Sequence, residues 1–100
     1  MTLQTAVGVN TIEGQRPPIS YSQLTSLSAA TALTVPSDCH AVLIQAETQN
    51  VRWRDDGTDP TASVGMLLYA GDFLWYNGVP GSLKFIQVSA SAKLNVTFYK

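Results

Sequence analysis

From Tyr21 to the end of the chain, apolar and polar residues alternate in short runs separated by turn residues. The last run, residues 93–99, is the cleanest: Leu94, Val96 and Phe98 alternate with Asn95, Thr97 and Tyr99. A period of two puts successive side chains on opposite faces of a strand, so this run predicts a strand with one buried face. Residues 40–48 repeat the pattern, with Val42, Ile44 and Ala46 on one face and Leu43, Gln45 and Glu47 on the other. Val51 and Trp53 point one way while Arg52 and Arg54 point the opposite way. Residues 20–28 alternate Tyr21, Gln23, Thr25 and Leu27 with Ser22, Leu24 and Ser26. Shorter runs cover residues 32–35, 66–69, 73–76 and 83–88.

The punctuation agrees. Pro36-Ser37-Asp38 closes the second run, and Asp55-Asp56-Gly57 makes a turn because glycine tolerates the positive φ that such turns require. Residues 29–32 have the composition of a helical turn but are too few for a stable helix. Seven or eight short strands at this spacing are the mark of a sandwich or barrel. The expected fold is all-β: an antiparallel β-sandwich of two packed sheets, in jelly-roll order or another, since alternation does not fix strand order.

Residues 1–19 differ from the rest. Their apolar residues follow no period of 2 or 3.6, and Gly8, Gly14, Pro17 and Pro18 interrupt any regular element. Pro17-Pro18 favours an extended, stiff hinge. The chain therefore divides into an extended N-terminal arm, residues 1–19, and a β-sandwich domain, residues 20–100. Such an arm either frays or docks on a neighbouring subunit. In the second case Leu3, Val7, Val9 and Ile12 are its apolar anchors.

Composition narrows the partners. One hundred residues and 10.8 kDa make one domain, and a charged share of 13% is about half the usual one. Six Lys+Arg against seven Asp+Glu leave a formal charge of -1, without the basic balance of a nucleic-acid binder. So low a charge protects a freely diffusing monomer poorly. It points to a surface covered by partners, with a homo-oligomer (dimer or trimer) among them. The longest apolar stretch, residues 41–44, falls far short of the roughly 20 residues of a membrane helix. The first ten residues lack the basic start and apolar core of a secretory signal, so synthesis in the cytosol is expected. Cys39 is the only cysteine, which rules out an intrachain disulfide.

Candidate chemistry is sparse. Cys39 and His40 are adjacent, but neighbours on a strand face opposite sides and cannot share a proton. Together they are too few for a zinc site in one chain. Asp55, Asp56 and Asp59 are the one candidate for a hard cation, yet their spacing does not match an EF-hand and a plain turn weighs more. The same carboxylates are candidates for a glycosidase pair, but nothing in the sequence sets one pKa above the other. Arg52 and Arg54, facing away from a core Trp53, are expected to pair with nearby aspartates or with a partner's carboxylates. Trp75 and Tyr76 sit on opposite faces of one strand. The exposed one of the two would stack on carbohydrate or fill a subunit interface. No glycine spacing suits a phosphate. The expectation is a protein that is not an enzyme and uses no metal or cofactor.

Three stretches add a resemblance: LTSLSAATALTVP at residues 24–36, VRWRDDGTDPTASVGMLL at 51–68, and KFIQVSASAKLNVTFYK at 84–100. They resemble a family of small β-rich virion structural proteins of tailed bacteriophages, over roughly the last four-fifths of the chain. The central stretch is the most specific, and the arm falls outside the pattern. The resemblance implies a capsid decoration or cement protein that binds the major capsid protein on the head exterior and stabilises contacts between capsomers. Its place would be the capsid surface of the virion, after synthesis in the bacterial host cytoplasm. The alternative it leaves open is a tail or head-fibre module that recognises host carbohydrate.

Overall fold

A computed structural model describes residues 16–100, which form eight strands. These are β1 (Pro18–Leu24), β2 (Thr31–Ala32), β3 (Ala41–Glu47), β4 (Val51–Arg54), β5 (Met66–Leu68), β6 (Phe73–Tyr76), β7 (Lys84–Gln87) and β8 (Lys93–Tyr99). A strand overlaps every alternating run, although β2 is only Thr31–Ala32 and shares just Ala32 with the run read as residues 32–35. Among the described residues a single 3-10 turn at Pro80–Ser82 leads into β7. Residues 28 and 29 make a bend, without the helical turn their composition allowed. Among the described residues no helix is long and apolar enough to cross a membrane.

The strands form two four-stranded sheets in the orders β1-β8-β3-β6 and β2-β7-β4-β5. All pairings are antiparallel, and they are nested. The chain's first strand pairs with its last, the second with the seventh, the third with the sixth and the fourth with the fifth. The β3–β8 and β4–β7 pairings join these pairs into the two sheets.

Between the sheets lies one apolar core. β3 contributes Val42, Ile44 and Ala46, and β8 contributes Leu94, Val96 and Phe98, the inward sets that their alternation predicts. From the second sheet come Val51, Leu68 and Phe85, joined by Leu27, Leu33 and Leu83 from the segments beside β2 and β7. Trp53 is half-buried and packs against this cluster, on the Val51 side of its strand. No polar or charged residue is buried among the described ones. Stability therefore rests on apolar packing, at about 25 cal/mol per Å² removed from water.

β1 departs from the sequence expectation at both ends. It begins at Pro18, so Pro18 and Ile19, read from the sequence as the end of the arm, belong to the sheet. The cause is the ladder to β8, which runs to the chain's end: Pro18 pairs with Tyr99, and the Lys100 amide donates to the Pro17 carbonyl (3.1 Å). Proline is tolerated there because the first residue of an edge strand needs no donor. At its other end the strand stops at Leu24, and the chain crosses toward the second sheet. Leu27 is then buried, and its carbonyl accepts from the Gln87 amide (2.9 Å). The anchors Leu3, Val7, Val9 and Ile12 lie outside the described residues.

Candidate functional site

The outer face of the first sheet is ordered in rows set by strand register. One row runs Gln23–Asn95–Gln45–Phe73 across β1, β8, β3 and β6. The next runs Tyr21–Thr97–Leu43–Trp75. Aromatic residues therefore stand at both sides of the sheet, with a mostly polar floor between them. Three strand spacings separate Tyr21 from Trp75, about 14 Å.

Asn95 organises the floor. Its Oδ1 accepts from Tyr21 Oη (2.6 Å) and Gln23 Nε2 (2.9 Å). Its Nδ2 donates to Glu47 Oε1 (2.9 Å) and Gln45 Oε1 (3.4 Å). The amide is thereby satisfied at both ends, and four neighbouring side chains are fixed around it. Most residues of these rows, with Glu47 but without Trp75, line a shallow depression of about 430 Å³. Tyr21, Phe73 and Trp75 are 60%, 63% and 48% exposed, so the apolar part of this face lies open to solvent. Trp75 stands edge-on to Tyr99, with ring centroids 5.4 Å apart.

Opposite parity placed Trp75 and Tyr76 on different faces, and Trp75 is the one that faces out. Tyr76 turns inward, packs on the core and meets Trp53 edge-on at 6.1 Å. Its hydroxyl donates to Asp55 Oδ2 (2.7 Å), and a Cβ at Gly78 would collide with it. Tyr76 is therefore not free to stack on a sugar, unlike Trp75.

On the outer face of the second sheet the charged side chains turn to the chain's own loop, residues 55–65. Arg52 donates from Nη1 to the Gly65 carbonyl (2.8 Å) and from Nε to the Ala62 carbonyl (3.1 Å). Backbone carbonyls, not the expected aspartates, are its partners. Arg54 does pair with an aspartate, through two bonds to Asp56 (3.0 and 2.6 Å). Lys84 reaches Asp59 (2.9 Å). Gly57 has a φ of 86, the left-handed value read from Asp-Asp-Gly. Gly65, at φ 143, sits where a Cβ would come within 3.2 Å of Arg52 Cβ, Pro60 Cβ and the Trp53 carbonyl. The loop thus packs closely onto β4.

The three loop aspartates face three different partners: Tyr76, Arg54 and Lys84. Among the described residues no group of three or more His, Cys, Asp or Glu is placed to hold a metal ion. The hydrogen bonds from Arg54 hold the Asp56 carboxyl below its ordinary value, aided by the Thr58 amide. Asp56 in turn raises Arg54. Elsewhere, the Cys39 thiol donates to the Ala41 carbonyl (3.4 Å), while His40 is exposed and its amide donates to the Tyr99 carbonyl (2.9 Å).

Sequence reasoning singled out Trp75 on the open face but not Tyr21, Gln23, Gln45, Phe73 or Asn95. Alternation already placed Asn95 and Gln45 on outward faces. The missing signal was strand order, which makes their strands neighbours. Comparison with family models, with curated proteins and with solved structures finds no match for the chain.

Proposed function

We propose that the chain is a structural component of a tailed-phage virion, a decoration or cement protein that binds the major capsid protein on the head exterior. The observation that carries this reading is the nested strand order, which we take as a jelly roll. That architecture is used by viral capsid and lectin domains. Fold alone does not assign function, so the resemblance of the central and C-terminal stretches to virion proteins supplies the rest. This reading has the N-terminal arm attach the domain to the capsid. Arg16 Nη1 donates to the Lys100 carbonyl (3.1 Å), which ties Arg16 to the end of β8. Many copies on a lattice, each weakly held, attach firmly through effective concentration.

Counting copies per purified virion against the major capsid protein, by quantitative mass spectrometry, tests the reading. A ratio near one, or a simple fraction set by shell symmetry, is the expected result. A handful of copies would move the protein to the portal or tail. Deleting residues 1–15 leaves β1 intact and is expected to weaken capsid binding without unfolding the domain. Full occupancy after that deletion would remove the arm from the account.

A further inference from the structure

We propose that the outer face of the first sheet is a binding site for a neutral oligosaccharide. The proposal goes beyond the virion reading and is tested on the isolated protein.

Sugar rings combine two kinds of surface: hydroxyls around the edge and apolar C–H groups on the faces. A site for them needs planar polar groups that engage adjacent hydroxyls, beside aromatic rings that cover C–H faces. This sheet face supplies both in register. Gln23, Asn95 and Gln45 form one continuous polar row, and Phe73 ends it on β6. Phe73 lines the depression, and Trp75, the next outward residue of β6, stands beside it as a second exposed aromatic ring. Tyr21 forms the opposite wall.

The polar row is also prearranged. Asn95 has its full set of partners, which ties Gln23, Gln45 and Glu47 into one network. Among the described residues, Gln45 Nε2, Gln23 Oε1 and Glu47 Oε2 make no side-chain hydrogen bond, which leaves donor and acceptors for a ligand. Side chains held in place before binding lose less entropy on binding, the main advantage of a prearranged site. The dimensions suit a short oligosaccharide and not a single ring. The depression holds about 430 Å³, and the aromatic walls stand about 14 Å apart across the strands.

Charge selects the class. Glu47 is the one charged residue lining the depression. Lys93 stands opposite Glu47 in register on the same outward face, so the two charges offset and the face favours neither an acidic nor a basic glycan. A protein partner fits the face less well. Interface cores are depleted of charge and rich in packed apolar residues, whereas this floor, Leu43 aside, is amide, hydroxyl and carboxylate.

The test uses the full chain on an array of several hundred neutral and acidic bacterial and animal glycans. A hit is followed by calorimetry and by ¹⁵N NMR mapping on the wild-type protein. The expected result is a neutral glycan that shifts the side-chain amides of Gln23, Gln45 and Asn95 and the indole of Trp75. Its affinity should fall about tenfold or more in Trp75→Ala, as for other aromatic anchors. Gln45→Ala should also weaken binding, with thermal unfolding unchanged in both. Silence across the array would overturn the proposal. So would hits confined to acidic glycans, a neutral hit whose shifts map elsewhere, or self-association of the protein that Trp75→Ala abolishes. Because the array requires no virion, its outcome and the copy number fail independently.

Discussion

The two outer faces of this sandwich use their polar residues in opposite ways. On the second sheet, Arg52, Arg54 and Lys84 turn to the chain's own loop, gripping two carbonyls and two carboxylates between residues 55 and 65. On the first sheet, uncharged amides gather around Asn95 with exposed aromatic rings at both sides. The charged motif, the more conspicuous in sequence, thus holds a loop in place. The inconspicuous face, with few charges, presents an open surface. Charge is a poor guide to function when the chain neutralises it locally.

The comparison is broken most severely by removing what the two faces share. Phe85 is fully buried beneath the second sheet and packs in the common core. Phe85→Ala should cost about 3–5 kcal/mol, read by denaturant unfolding, and both faces should be lost together. An intact first sheet after loss of the second would mean that the sheets are independently stable.

Next in size are changes confined to the loop. Gly65→Ala puts a Cβ at a positive φ and against three neighbours, and should cost about 1–3 kcal/mol. Arg52→Ala removes two carbonyl contacts and should cost a similar amount, about 1–3 kcal/mol. Both should make residues 55–65 the first point of limited proteolysis. Neither should alter the amide resonances of Gln23, Gln45 and Asn95. Shifts on that face would show that the two surfaces are coupled.

Trp75→Ala sharpens the contrast from the other side. Trp75 is half exposed and touches Tyr99, so its loss should change stability by less than about 1 kcal/mol. A melting temperature that collapses would make Trp75 a core residue in all but position.

The smallest effect belongs to Asp56. Arg54 lowers the pKa of its folded carboxyl, so its contribution is fully present above the unfolded value and is lost as pH falls through the lower folded one. That window lies on the acid side of about pH 4. Asp56→Asn should flatten the stability–pH curve in that window and leave the neutral range nearly unchanged. An equally steep acid limb in the variant would assign the dependence to other carboxylates.

The division between what was legible and what was not follows the distance along the chain over which each feature is set. The β3 and β8 faces were readable because alternation is local, and their inward residues are buried as read. Gly57 was readable for the same reason. The network around Asn95 was not, since its partners Tyr21, Gln45 and Glu47 lie 74, 50 and 48 residues away. Parity separated Trp75 from Tyr76 but could not say which faced the core. That depended on Val42 and Leu43, the residues of β3 opposite them. The start of β1 was misplaced because the two prolines suggest a hinge, while the pairing partner that recruits Pro18 stands at the far end of the chain.

The most direct measurement compares one substitution on each face in the same glycan-array assay: Trp75→Ala on the open sheet and Arg54→Ala beneath the loop. The account expects neutral-glycan binding to weaken about tenfold or more in the first and persist unchanged in the second. Binding that survives Trp75→Ala and disappears with Arg54→Ala would assign recognition to the loop-covered face and contradict it.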